Sequence, residues 1–249
     1  MFRDPGVAIW GLRNLLVSLG GDIIEVVAPF KDGTTAGRLL EKRGDGGYMI
    51  IMQNDDGPAR RAHIEARGLA KVIWKNSHAD HKYPYHATQY HPKGIKGGMM
   101  PELDSMAPTP DFPRPMAERF GPWGACGPDF ESYGAGMRKS AHLRLQDVRL
   151  RLAPGDGDTA GAVAQWTEVF GVPTSDGDLA FTNATMGFVK GEQGKPEGLD
   201  LITVQVHGKE KFDAILQRAS EEGLCGNGWI NLCGVRWYFE VADQPKGKL

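Results

Sequence analysis

Cysteine is scarce in this chain: Cys126, Cys225 and Cys233 are its three, and no two form a C-x-x-C pair. That excludes a disulfide framework and a cysteine zinc site, and it makes a reduced, cytoplasmic setting the expectation. No apolar run approaches the ~20 residues needed to span a bilayer, and the opening MFRDPGVAIWG lacks the basic-then-apolar pattern of a secretory leader. Neither charge sign dominates. With 29 Lys and Arg against 31 Asp and Glu, the net charge is −2, and basic clusters are no longer than pairs such as Arg60-Arg61. Nucleic acid and anionic membranes are therefore not expected partners. Several catalytic signatures are also missing: G-x-S-x-G, H-E-x-x-H and the EF-hand loop. The GDGG run at Gly44–Gly47 is no phosphate loop, because it lacks Lys-Ser/Thr and does not join a strand to a following helix.

What remains is a chain of 249 residues, 41% hydrophobic and 24% charged, enough for one large or two small globular domains with a real core. Its most telling stretch is Asp22–Asp56, DIIEVVAPFKDGTTAGRLLEKRGDGGYMIIMQNDD. A strand-like apolar run carries one carboxylate, Glu25, in its middle, and a charge buried in a strand is costly unless something pairs with it. Val7–Leu12 and Asn14–Leu19 read as β-type runs, and Gly20-Gly21-Asp22 as a hairpin turn into Ile23–Ala28. Thr34 or Thr35 can cap a helix through Arg43 that Gly44 ends. Tyr48–Asn54 is the next strand, and Asp56-Gly57-Pro58 opens a helix that Gly68 ends. Strands follow at Leu69–Lys75, His86–His91 and Gly98–Leu103.

Met106–Met137 is rich in Pro and Gly and is expected to form neither regular helix nor central strand. Its aromatics Phe112, Phe120, Trp123, Phe130 and Tyr133 argue for an ordered linker over a surface or a pocket. Beyond it the pattern restarts with a strand at Leu143–Leu152, a helix capped by Asp158 or Thr159 through Phe170, and one or two strands in Leu179–Val189. Then come a strand at Leu199–Val206, a helix at Lys209–Glu222 and a closing strand pair in Trp229–Val241. A weak repeat links GGYMIIMQNDDGPARRAHIEARGL to EGLDLITVQVHGKEKFDAILQRASEEGL: strand, glycine near the helix start, helix, then Gly-Leu.

On IEVVAP, GTTAGRLLEKRGDGGYMIIMQNDD and YHPKGIKGGMMPELD, about the first 105 residues resemble the vicinal oxygen chelate superfamily, the glyoxalase-like fold. Residues 143–241 resemble it more weakly, through NATMGFVKG, the repeat and CGVRWYFEV. The resemblance implies an α+β protein of tandem glyoxalase-like domains built of paired βαβββ modules. The domains would be residues 1–105 and 138–249, with 106–137 as the linker. It further implies that the first module lacks its opening strand and helix, which the family places before FRDPGVAIWGL. The family's members are lyases, isomerases, dioxygenases and small-molecule-binding resistance proteins, so the expected partner is a small oxygenated organic molecule. A domain with an unpaired sheet edge also favours association, here a homodimer. The cleft of the family often holds a divalent metal. Glu25 in IEVV and Glu102 in MMPEL fall on ligand positions, as metal ligands or as catalytic acid and base. Met49 falls where metal-binding relatives have histidine, and a thioether is a poor ligand for such ions. The expected cofactor is thus a divalent metal or none, and Met49 favours binding without turnover.

Other candidates come from the residues themselves. Gln53 shares a strand face with Met49 and Ile51 and could donate to a substrate carbonyl; a polar strand end is the plainer reading. His78, His81, His86 and His91 crowd one segment, yet their spacing fits no zinc signature, and His86 and His91 point to opposite strand faces. His91, in Y-H-P, matches the family best and is the candidate for a pocket contact. Trp123, with Phe112, Phe120 and Trp10, lines an apolar pocket or packs the linker. Asp200 stands in the second half where Met49 stands in the first, and reads as a strand-start aspartate.

Overall fold

The computed structural model describes residues 1–79 and 82–242; His81 of the histidine-rich segment lies outside them. The chain opens with a short 3-10 turn, Pro5–Trp10, and then folds into strand β1 (Leu12–Leu19) and strand β2 (Asp22–Pro29). The expected strand at Val7–Leu12 is corrected here. Asp4 caps the turn by accepting from Gly6 N, and Pro5 sets its first residue, which together fix a helical rather than extended start. Gly20, at φ +68°, makes the tight reversal between β1 and β2.

Helix α1 (Thr35–Arg43) follows, with the Thr34 hydroxyl accepting from Gly37 N at 2.9 Å. Next comes a complete βαβββ unit: β3 (Met49–Gln53), α2 (Gly57–Arg67), β4 (Val72–His78), β5 (Tyr85–Tyr90) and β6 (Met100–Met106). Asp56 accepts from Ala59 N to start α2, and Gly68 in the left-handed region ends it. The expected strand at Leu69–Lys75 begins three residues later, because Leu69 N closes onto Ile64 O and still belongs to the helix end. The sheet order is β3-β6-β5-β4, with β3 and β6 parallel.

The linker is mostly irregular, but Phe130–Lys139 forms helix α3. That corrects the expectation of no helix there: the last linker proline is Pro128, and Asp129 caps the proline-free run beyond it by accepting from Ser132 N. The linker's rings pack on one another, Phe112 against Phe130 and Phe130 against Tyr133.

The second half comprises β7 (Leu143–Arg151), α4 (Thr159–Phe170), β8 (Thr174–Ser175), β9 (Asp178–Ala180) and β10 (Thr185–Val189), then β11 (Gly198–His207), α5 (Lys209–Glu221), β12 (Ile230–Leu232) and β13 (Val235–Ala242). These strands form one seven-stranded sheet, β12-β13-β11-β7-β10-β9-β8. It contains a βαβββ unit, β7-α4-β8-β9-β10, beside a βαββ unit, β11-α5-β12-β13. In the first, β7 pairs in parallel with β10; in the second, β11 pairs in parallel with β13; and β7 and β11 join the units antiparallel. The repeat read in the sequence thus links β3–α2 to β11–α5, each the opening strand and helix of a unit.

Packing crosses the linker. One apolar core gathers Met52, Ile64 and Tyr90 from before it with Leu150, Trp166 and Phe170 from after it. A second core sets Leu19 and Ile24 of the β1-β2 hairpin against Val204, Ala219 and Trp237. The α+β class expected from the element order is the one observed. Among the described residues no helix is long and apolar enough to cross a membrane, and all three cysteines are free.

Candidate functional site

Strand register decides which side chains meet. Met49, Ile51 and Gln53 of β3 lie opposite Met100, Glu102 and Asp104 of β6, and Gln89 of β5 lies opposite Glu102. Directly paired residues point to the same sheet face. One face therefore carries two carboxyls, Glu102 and Asp104, while the other face, with Met52 and Leu103, enters the core beside Ile64 of α2.

The two carboxyls are deeply enclosed, Glu102 at 5% exposure and Asp104 at 1%. Gln89 Nε2 donates to Glu102 Oε2 at 2.6 Å, and Trp123 Nε1 donates to Asp104 Oδ2 at 3.2 Å. Asp104 Oδ1 is buried with no hydrogen-bond partner among the described residues. Burial pushes both carboxyls above their ordinary ionisation range, and Asp104 goes well above it because the neighbouring Glu102 charge adds to the burial. Two neighbouring carboxyls inside a protein do not both ionise readily, and Asp104 is the one held more strongly toward its protonated form.

Glu25 reaches the same region from β2. Asn14, across the hairpin on β1, donates through Nδ2 to Glu25 Oε1 at 2.6 Å, and Asn14 Oδ1 accepts from Asp4 N, which fixes the amide's orientation. Burial raises the ionisation range of Glu25, partly offset by the Asn14 bond, and its charge in turn opposes ionisation of Glu102. Tyr85 stands near Glu102 and Asp104 and is pushed up to about 12 by burial and by those carboxylates. The buried Cys126 thiol is pushed up as well, by burial and then by Glu25 and Asp104, so it is not a nucleophile.

A cavity of about 290 Å³ separates β2 from β3. Glu25, Met49, Ile51, Trp123 and Trp237 line it, and Glu25 is the half-buried carboxyl among its walls. Glu102 and Asp104 do not line it. A larger cavity, about 710 Å³, lies between β3, the linker and β10, with Gln53, Asn54, Arg119, Asn183 and His207 on its surface. Ile51 and Trp123 belong to both cavities. The acid of the larger one that is most enclosed, Asp22, is already occupied by Asn183 Nδ2 and Leu145 N. Burial raises Asp22 as well, with those two bonds opposing the shift, whereas Glu25 in the smaller cavity has the single bond from Asn14.

The structure thus gathers Glu25, Glu102, Met49 and Trp123 in one region and puts Gln53 in the adjoining cavity. It does not bring His91 there. That ring ends β5, accepts at Nδ1 from Lys93 N at 2.9 Å in a local turn, and lines neither cavity. Asp104, Asn14 and Gln89 were missed by the sequence reading. Asp104 was detectable: in PELDS an aspartate two positions after Glu102 must share its strand face. Asn14 and Gln89 carry no such signal, since only the pairing register brings them to the carboxyls.

A catalytic divalent metal usually takes three protein ligands and leaves a position open. Here Glu25 and Glu102 are two donors and Met49 stands at a third place with a thioether. Among the described residues no three or more His, Cys, Asp or Glu side chains are gathered as a metal site. The residues present do not make up the set.

In the second half the corresponding face, on β7, β10 and β11, is filled by ion pairs. Arg149 bonds Asp147 at 2.6 Å and Asp178 at 2.7 Å, and Asp200, 5% exposed, is bound by Arg151 and Arg236. Asp200 is therefore a structural anion on β11. The two halves are alike in strand order and opposite in chemistry: carboxyls without cations in the first, neutralised carboxylates in the second.

No family model matches the chain, and no curated protein matches it. Among solved structures it is similar to the crystal structure of a hypothetical protein from Staphylococcus aureus, at 12% identity over 94% of this chain and 86% of that one, with a TM-score of 0.56. At that identity the likeness shows the fold alone. A methylmalonyl-CoA epimerase from Streptomyces coelicolor, in complex with 2-nitronate-propionyl-CoA, matches 43% of this chain and 76% of its own at 21% identity and a TM-score of 0.34. The methylmalonyl-CoA epimerase from Mycobacterium tuberculosis matches 43% and 71% at 22% identity and 0.36. Likeness at that level carries no argument about this chain.

Proposed function

We propose that this chain is a glyoxalase-like protein of the vicinal oxygen chelate superfamily that binds a small oxygenated organic molecule in the cavity between β2 and β3. The observation that carries the reading is Glu25: a half-buried carboxyl on an apolar wall, oriented by Asn14 and held toward its protonated form by its partial loss of solvent. Such a group can give a proton to a ligand oxygen, or take one from carbon beside a carbonyl, at ordinary pH. The reaction class that fits is an isomerisation or lyase step through an enediolate-like anion, in which Glu25 takes the proton from the carbon beside the carbonyl and gives it back to the anion. Gln53, on β3 in the adjoining cavity, would contact the far end of a longer ligand.

A second reading is favoured by Met49 and the apolar lining: the cavity holds its ligand without turnover. One experiment separates the two. Binding of a panel of small 2-oxo and 2-hydroxy acids is followed by tryptophan fluorescence, and deuterium uptake from heavy water at the carbon next to the carbonyl is followed by NMR. Uptake that disappears in Glu25→Gln while binding persists supports the enzyme. Binding with no uptake supports sequestration, and no binding by any member sinks both. Elemental analysis of the purified protein adds the metal question: one equivalent of a divalent ion, lost in Glu25→Ala, would support metal-assisted chemistry in place of simple proton transfer.

A further inference from the structure

The larger cavity, about 710 Å³, is far too big to be a packing void, and it falls in the size range of small-molecule pockets. Its inner wall is apolar: Leu103, Phe170, Val172 and Met186 line it and are themselves buried. Its outer border is charged. Glu118 and Arg119 of the linker, Arg144 of β7 and His207 line it and are exposed, so the cavity reaches solvent on that side. An apolar floor under a charged rim suits an amphipathic molecule with one polar end.

The two arginines are oriented but not neutralised. Arg119 Nη2 donates to Ala141 O at 3.1 Å and to Leu143 O at 3.0 Å, and Arg144 Nε donates to Asn183 O at 3.3 Å. A carbonyl oxygen fixes a guanidinium without cancelling its charge, and each arginine keeps further N–H groups to donate. Neither makes an ion pair among the described residues, whereas Arg149, Arg151 and Arg236 all hold aspartates. The enclosed acid of the cavity, Asp22, already accepts from Asn183 Nδ2 and Leu145 N. Burial raises its ionisation range; those bonds, and then the charges of Arg119 and Arg144, oppose the rise. Both guanidiniums therefore act on one point of the wall.

The placement of Arg119 depends on the β1-β2 reversal. A Cβ at Gly21 would overlap Arg119 O, and one at Gly20 would come within 2.6 Å of Arg119 Nη2. The two glycines let the linker lie directly against the turn, which brings this side chain to the rim.

We propose that the larger cavity binds a monocarboxylic acid with a sizeable apolar body, at a site separate from the one at Glu25. The body lies on Leu103, Phe170, Val172 and Met186, and the carboxylate accepts from Arg119 and Arg144 at the rim. A guanidinium fork matches a carboxylate in both shape and charge. Glu118 at the same rim opposes a second anionic group on the ligand. The two cavities share only the wall residues Ile51 and Trp123, so this site stands whether or not Glu25 performs chemistry.

Isothermal titration calorimetry of the whole chain with hexanoate, octanoate and decanoate, and with the matching primary amides, tests the proposal. Affinity should rise roughly fourfold for each added methylene, as burial on an apolar wall demands. Each acid should bind about tenfold more tightly than its amide. Arg144→Gln and Arg119→Gln should each remove most of that preference and leave amide binding unchanged, while Glu25→Gln should alter neither. Arg144 is exposed, so Arg144→Gln should match the wild type in urea unfolding, and it decides the matter even if Arg119→Gln loosens the linker. No binding by any of the acids overturns the proposal. So do equal affinities for acids and amides, affinity that ignores chain length, or an Arg144→Gln variant that keeps the full preference. Loss of acid binding in Glu25→Gln overturns it too, because the ligand then lies in the smaller cavity.

Discussion

Replacing Asp104 by asparagine probes the proton held between the two buried carboxyls. The amide side chain would keep the shape, could still accept from Trp123 Nε1 through its oxygen, and would offer its NH2 group to Glu102 in place of a shared proton. A carboxyl whose ionisation range is raised by folding binds its proton more tightly in the folded chain than in the unfolded one. Its contribution is then fully present below the ordinary carboxyl pKa and is lost as pH rises through the folded value. For each such proton the slope is about 1.4 kcal/mol of stability lost per pH unit within that window. Asp104 is raised well above its ordinary value, by burial first and by Glu102 second, so the window opens near the ordinary carboxyl range and extends upward from there. Urea unfolding at a series of pH values from about 4.5 upward measures the slope directly. Asp104→Asn should flatten it by about one proton's worth, roughly 1.4 kcal/mol per pH unit, and should raise stability most at the alkaline end. Equal slopes in the two proteins would refute the assignment of a proton to Asp104. A variant that is simply less stable at every pH would show that Trp123 and Glu102 need the carboxyl itself.

Other consequences are equally concrete. Trp166, at 0% exposure, joins the two halves and donates through Nε1 to Lys96 O at 2.9 Å; Trp166→Ala should cost about 3–5 kcal/mol in calorimetry or urea unfolding. Asp200→Ala leaves Arg151 and Arg236 facing each other without their anion, and a loss of about 3 kcal/mol is expected. Replacing Asp200 together with both arginines by apolar residues should recover most of that, which a pure packing role for Asp200 would not allow. Trp123 touches both cavities, so a ligand in either should change the fluorescence of the wild type, and Trp123→Phe should remove that component; an unchanged signal would place the ligand elsewhere.

Much of this molecule was legible in the sequence where local chemistry decides the outcome. The caps at Thr34, Asp56 and Asp158 and the glycine stops at Gly44, Gly68 and Gly171 set the ends of α1, α2 and α4 correctly or nearly so, because a cap answers to neighbours within four residues. The misreadings were local as well. Apolar residues at Val7–Leu12 imitate a strand until Asp4 and Pro5 are weighed, and the count of prolines in the linker hid the proline-free run after Pro128.

The sequence by itself determined that Glu25 and Glu102 lie in apolar strands and that a strand–helix unit recurs, since alternation and capping are written in neighbouring residues. The tertiary structure alone decided the rest. Cross-hairpin pairing brought Asn14 to Glu25, and β5 supplied Gln89 to Glu102, while His91 was turned into a local loop. Those contacts join residues that only sheet register brings together, and register is a property of the assembled sheet that no single strand specifies. The same register leaves β2 and β3, among the described residues, each with an edge that pairs with no strand and borders a cavity.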